Sequence, residues 1–208
     1  MRRPARSIGG AGGNVDCSMG LMDLILASQS PRRAELLRNA GFRFQVRLRP
    51  VEEVRRTAEA PQDYAMRLAR DKANASWEGG DEIVLGADTI VVLGDSVMEK
   101  PADAEDARAM LTALSGRQHS VITGICLLHP HGEIVDCDST RVWFSDLEPG
   151  EIGGYVASGE PMDKAGAYAI QGLASKFIER IEGCYFNVMG LPVPRVYRHW
   201  KRLHSASR

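Results

Sequence analysis

The segment IVLGADTIVVL, Ile83–Leu93, constrains the fold more than any other stretch of this chain. A strand with one wet face alternates apolar and polar residues. This one is apolar on both faces, so it reads as a buried strand covered from two sides. Such a strand needs helices or further strands on both faces, which points to a layered α/β or α+β domain. Its one charge, Asp88, is the anomaly. An isolated carboxylate there costs on the order of several kcal/mol unless it is paired, protonated or bound to metal. It is either a structural aspartate that caps a neighbouring loop, or a metal ligand or general base tuned by burial and nearby cations. Gly86 and Ala87 leave space for a ligand beside it, and Thr89 adds a hydroxyl.

Strand and helix patterns alternate around this segment. Residues 24–27 form a short apolar strand, residues 31–39 a helix closed by Gly41, and residues 42–46 a second strand. Residues 63–77 place Tyr64, Met66, Leu68, Ala69, Ala73 and Trp77 along a helix, and residues 103–114 form an amphipathic helix followed by Gly116. Residues 120–128 and 133–144 read as a hairpin about His129-Pro130-His131-Gly132. A helix over 149–158, a glycine-rich stretch at 164–172, a strand at 177–181 and a helix from near Pro194 follow. The expected class is α/β, one mixed sheet with flanking helices.

At 208 residues the chain suits one domain, or one domain of two lobes. Its 26 basic residues against 27 acidic leave no electrostatic footprint for a nucleic-acid polymer or an anionic membrane. Any phosphate binding must therefore come from a few placed cations and backbone amides. No apolar run approaches the ~20 residues that span a bilayer. Cys17, Cys126, Cys137 and Cys184 lie far apart with no CxxC pair, and read as reduced thiols packed as small hydrophobes. Residues 1–21 carry early arginines without a following apolar region, so they read as a disordered extension rather than a signal peptide, with the folded domain over 22–208. The expected localisation is cytoplasmic.

The sharpest binding signal is LASQSPRRAELL. Ser30-Pro31 is a strong helix start, an N-cap hydroxyl followed by proline at the first helical position. Arg32 and Arg33 come next, where the helix N-terminus is already positive and favours acids. An anion turns that liability into a site, because free amides, hydroxyls and guanidinium forks all donate to phosphate oxygens. The plainer reading is that both arginines are solvated or pair with Glu35. Successive helical positions diverge by about 100°, so one arginine faces the ligand while the other supports it. Neither GxxxxGK[ST] nor a strand-flanked GxGxxG is present.

Four further features are ambiguous alone. Glu99-Lys100-Pro101 suits a solvated bend as well as a charged cluster, and Glu52-Glu53 is no more specific. Lys72 falls among apolar helix positions, which points its ammonium inward. In DKAGAYAIQG, Gly166 and Gly172 allow close backbone approach to a base or phosphate chain. Lys164 supplies charge, and Gln171 offers both a donor and an acceptor for a base edge. The plainer reading is a glycine-rich connection before a strand. His129 and His131 suit a hairpin turn better than a metal site.

Taken in order, LASQSPRRAELL, LGADTIV, EKP, LSGRQHSVITG, YVASGEPMDKAGAYAIQG and NVMGLP resemble the Maf family of nucleoside-triphosphate pyrophosphatases, over residues 24–192. The resemblance implies an inosine-triphosphatase-like architecture with two lobes around a cleft, often as a homodimer. It also implies hydrolysis between the α- and β-phosphates with Mg²⁺ or Mn²⁺, releasing a nucleoside monophosphate and pyrophosphate. Asp88 falls on the family's proton-acceptor aspartate. Arg32, Thr89 and Gln171 fall on positions that distinguish the subgroup acting on dTTP and UTP. Ser28, Arg33, Glu53, Lys72, Lys100 and Lys164 match cleft positions. The roles implied are catalysis by Asp88, Lys72 and Glu53, metal binding by Asp88 and Glu53, and substrate binding by the rest. The family commonly has Asp-Glu where this chain has Glu52-Glu53. Two alternatives remain open, a 7-methyl-GTP-preferring pyrophosphatase and a nucleotide-binding regulator of septum formation with little turnover.

Overall fold

The computed structural model describes residues 24–206, so the extension expected over 1–21, with Cys17, lies outside the described residues. The chain begins with β1 (Leu24–Ala27), α1 (Pro31–Asn39), β2 (Phe44–Val46), α2 (Pro61–Ala75) and β3 (Ile83–Leu93). Then come β4 (Ser96–Met98), α3 (Ala104–Leu114), β5 (Gln118–His129), β6 (Gly132–Phe144) and α4 (Pro149–Ala157). Three 3-10 turns lead to β7 (Ile178–Glu182), α5 (Tyr185–Met189) and α6 (Val193–Ala206). One mixed sheet runs β2-β1-β3-β5-β6-β7, with β4 also on β3. β1 is parallel to β2 and β3, and the remaining pairs are antiparallel.

β3 is buried on both faces, as its composition requires. Ile83, Leu85, Ala87, Val91 and Leu93 join the main core, while Val84 and Ile90 face α2. The helix packs unusually close. A Cβ at Gly86 would stand 2.0 Å from the Ala69 carbonyl oxygen, and one at Gly124 of β5 would stand 2.3 Å from that of Ala65. Ala65, Ala69 and Ala73 repeat every fourth residue, so a stripe of small side chains meets the two glycines. This corrects the expectation that Gly86 and Ala87 make room for a ligand. The space at Gly86 is filled by helix backbone, and Ala87 points into the main core.

The sheet forks beside Asp88. β1 follows β3 as far as Ala27↔Gly86, and β4 resumes at Met98↔Val91. Among the described residues, 87–90 therefore have no strand on that edge, and the gap opens just past the carboxyl end of parallel β1. Crevices at such points are where open α/β sheets bind ligands.

Boundaries shift slightly from the sequence reading. α2 starts at Pro61, a first-turn proline, and ends before Trp77. Phe42 lies outside β2, edge-on to Tyr197 and Trp200 at 6.4 and 5.6 Å. Cys126, Cys137 and Cys184 are free thiols. Among the described residues, no helix is long and apolar enough to cross a membrane.

Candidate active site

All ten residues singled out from the sequence line one cavity of about 730 Å³ at the fork. Its walls carry six cationic and four anionic side chains, in a chain whose formal net charge is −1. The positive excess is thus local, and suits an anionic ligand.

The first wall is the start of α1. Ser30 has extended N-cap dihedrals, but its hydroxyl does not cap, and the first turn holds no acid. The expected capping bond is absent, and Ser28 Oγ instead accepts from the Ser30 amide (3.3 Å) and from Arg33 Nη1 (2.9 Å), leaving the helix amides uncapped. The two arginines separate as helical geometry requires. Arg33 is buried and donates through Nε to the Gly190 carbonyl (2.7 Å) and through Nη2 to Thr89 Oγ1 (2.9 Å). Burial lowers its pKa, and the nearby Asp88 charge opposes that shift. Arg32 is half-buried and, among the described residues, paired with Asp163 at 3.5 Å. Arg33 is therefore the brace, and Arg32 the freer guanidinium.

Thr89 belongs to a hydroxyl chain. Thr123 Oγ1 donates to the Asn187 carbonyl (3.0 Å), which leaves the Thr89 proton to Thr123 Oγ1 (2.9 Å) or the Gly190 carbonyl (3.3 Å), both on the protein side. With its proton turned inward and one lone pair taken by Arg33, Thr89 offers the cavity an acceptor.

The second wall is α2. Lys72 Nζ lies 2.6 Å from Asp88 Oδ1 and 2.8 Å from Glu53 Oε1, confirming the inward ammonium. The close seat of α2 on Gly86 and Gly124 brings that ammonium to the strand. Asp88 is nearly buried, and burial pushes its carboxyl above the usual range against the pull of Lys72 and Arg33. For Glu53, burial acts upward too, but hydrogen bonding and charge from Lys72, with help from Lys100, leave it below its ordinary value. Two carboxylates on one cation thus have opposite proton affinities, the pattern that divides acid–base roles. Their oxygens already converge on one positive centre. Among the described residues, no cluster of three or more His, Cys, Asp or Glu forms a protein-only metal cage. Two carboxylates with substrate phosphates are the usual Mg²⁺ set, so this donor pair fits such an ion.

The third wall is the 3-10 segment after α4. Lys164 donates to the Glu160 carbonyl (2.7 Å) and to the Asp163 carboxylate. Asp163 thereby holds both Lys164 and Arg32; burial raises its pKa, but the hydrogen bond and charge of Lys164, with the charge of Arg32, together leave it below its ordinary value. Gln171 and Lys100 are exposed at the cavity rim. The glycines here do not serve a ligand as expected. A Cβ at Gly166 would clash with the Val91 side chain at 2.8 Å, and one at Gly172 with the Glu160 carboxylate at 2.3 Å. Both allow internal packing.

Sequence reasoning gave no site role to Tyr64, Asp163 or the Gly190 carbonyl, and left Glu99 as either part of a solvated bend or of a charged cluster. Asp163 sits beside Lys164 in a motif already noted, so its signal was available. Gly190, at the end of α5, lies in the NVMGLP motif already noted, but no local pattern shows that its carbonyl turns toward Arg33.

The family described as Maf-like protein matches residues 23–203. The chain is 53% identical over 182 residues to a dTTP/UTP pyrophosphatase of Koribacter versatilis, covering 87% of this chain and 94% of that protein. Proteins of the same name from a Geobacillus species and from Vibrio cholerae are 47% and 49% identical, covering 88% and 84% of this chain and 99% and 95% of theirs. Among solved structures, the Ham1 protein of Staphylococcus aureus shows a TM-score of 0.43 at 13% identity, over 74% of this chain and 90% of that one.

Proposed function

The chain belongs to the Maf family, and we propose that it hydrolyses dTTP and UTP between the α- and β-phosphates, yielding the nucleoside monophosphate and pyrophosphate. The observation that carries this reading is Lys72 joining Asp88 and Glu53 inside a locally positive cavity, beside the uncapped start of α1. The names borne by relatives about half identical to the chain support the same substrates.

In this reading Asp88 takes the proton of the attacking water. Its raised proton affinity suits a base that must hold a proton part-way through the reaction. Lys72 neutralises the two carboxylates in the free enzyme and offers its charge to the triphosphate when one is bound. Arg32 and Lys164 take the pyrophosphate charge, released from Asp163 by a stronger anion. Arg33 and Ser28 fix the loop rather than the ligand. Arg32, Thr89 and Gln171 set which triphosphate is accepted, Arg32 through the phosphates, and Thr89 and Gln171 through the base, Thr89 as an acceptor. Asp88 and Glu53 would hold Mg²⁺ or Mn²⁺, which supplies Lewis acidity and lowers the pKa of bound water. A homodimer in the cytoplasm, with no nucleic-acid polymer or membrane as partner, completes the proposal.

A triphosphate panel with product analysis tests it. The expected result is fastest release of pyrophosphate from dTTP and UTP. A 7-methyl-GTP preference would overturn the substrate reading, and tight dTTP binding without hydrolysis under Mg²⁺ and Mn²⁺ would favour a regulator.

A further inference from the structure

Three segments that carry charge into the cavity come from distant parts of the chain: the loop with Glu53, the turn with Lys100, and the 3-10 segment with Lys164. One buried hydroxyl and one carboxylate connect them. Tyr64 on α2 is 1% exposed, and its OH donates to Glu99 Oε1 at 2.5 Å, with the Glu53 carbonyl oxygen at 3.2 Å. The Glu99 carbonyl in turn accepts from the Gly166 amide at 3.0 Å. The next carbonyl of the Glu53 loop, that of Val54, accepts from Arg67 Nη2 at 2.9 Å, and the Arg67 guanidinium lies over the Tyr64 ring at 5.4 Å. Any buried tyrosine hydroxyl needs a partner, but this one meets two segments that each bring charge to the cavity.

We propose that Tyr64 and Glu99 are positioning residues for the reaction, a brace that sets the spacing of Glu53, Lys100 and Lys164 across the cleft. This rests on the cavity being the triphosphate site. Neither residue has to touch the reacting atoms. Tyr64 is no proton donor to the leaving group, because burial and the Glu99 carboxylate push its phenol far above its ordinary value and keep it a hydrogen-bond donor at working pH. The Glu99 side chain is committed to Tyr64 through one oxygen, and its backbone to the Lys164 segment. Losing the hydroxyl frees the Glu53 loop and the Lys100 turn together, which is what separates a brace from two local contacts.

The test is a double-mutant cycle on Tyr64→Phe and Glu99→Ala, with Glu99→Gln as the conservative variant. Each single change is expected to lower kcat/KM about tenfold or more, the worth of one hydrogen bond to a charged group. The loss should appear in both KM and kcat. The double variant should fall little below the worse single one, since residues acting through one bond are not additive. Glu99→Gln, which keeps an acceptor oxygen, should recover most of what Glu99→Ala loses. Amide hydrogen exchange supplies a readout that needs no substrate: Tyr64→Phe should speed exchange in residues 51–54, 99 and 100 while α2 stays protected. Additive losses, or faster exchange confined to α2, would overturn the brace. Should the wild type release no pyrophosphate, the exchange result still decides the brace, and only the functional reading fails.

Discussion

Replacing Gly86 with alanine tests the link between fold and chemistry at one atom. The added Cβ would stand 2.0 Å from the Ala69 carbonyl oxygen and 2.8 Å from the Ala73 amide nitrogen, both α2 backbone. Neither atom can turn aside as a side chain would. Ordinary contact begins near 3.4 Å, so α2 must retreat by more than 1 Å along that line. Lys72 adjoins Ala73, and its 2.6 Å contact with Asp88 stretches by a similar amount. Overpacking of this kind costs about 1–3 kcal/mol. In a chain of this size that lowers Tm by roughly 2–4 °C per kcal/mol. Displacing a catalytic group by about 1 Å costs up to about 100-fold in rate. Thermal unfolding with kcat/KM on dTTP is the assay, and Gly124→Ala should behave alike because its Cβ meets the Ala65 carbonyl oxygen at 2.3 Å. An alanine at 86 with wild-type melting and wild-type activity would refute the account of close helix packing.

Other positions respond differently. Gly154 is exposed within α4 with nothing within 4 Å of its Cβ site, so Gly154→Ala should raise stability by up to about 1 kcal/mol in a denaturant titration. Asp88→Asn should lower kcat by about 10²–10⁴-fold, as loss of a general base does. Because Asp88 ionises in the fold only above its ordinary pKa, its charge opposes folding as pH rises; the asparagine variant should melt no lower than wild type at pH 7.5. His119 is buried against Tyr168, 2.8 Å from its OH, and Nδ1 lies near the Arg117 backbone without a well-formed hydrogen bond. Burial lowers its pKa from 6.5 to about 4, so the unfolded chain binds the proton more readily, and stability is lost as pH falls through that window. The loss approaches about 3 kcal/mol at one pKa unit per 1.36 kcal/mol. Chemical denaturation at pH 7.5 and 4.5 should show it in wild type and not in His119→Gln.

The strands and helices were legible where one local force dominates. β3 announced itself because a two-sided apolar strand has no other place, and α3 because its apolar residues share one face; Asp103, read as the helix's first residue, is its cap, accepting from the Glu105 and Asp106 amides at 2.9 Å. The inward Lys72 could be read from its apolar neighbours on the helix. Gly86 was misread because sequence shows a missing side chain but not what fills the space, and the answer lies in α2. Gly166 and Gly172 failed for the same reason. The split between Arg32 and Arg33 followed from helical geometry, yet which one turns inward depends on Ser28, Thr89 and the Gly190 carbonyl meeting from three parts of the chain. Tyr64 looked like ordinary core because its ring packs and only its hydroxyl bears on the cavity.

The central claim is that water attacks the α-phosphorus with Asp88 accepting its proton. Hydrolysis of dTTP in H₂¹⁸O, followed by mass spectrometry of both products, tests it most directly. The label should enter dTMP and leave pyrophosphate unlabelled, and Asp88→Asn should suppress the labelled product. Label in pyrophosphate, release of orthophosphate instead, or undiminished labelling in the Asp88→Asn variant would contradict the account.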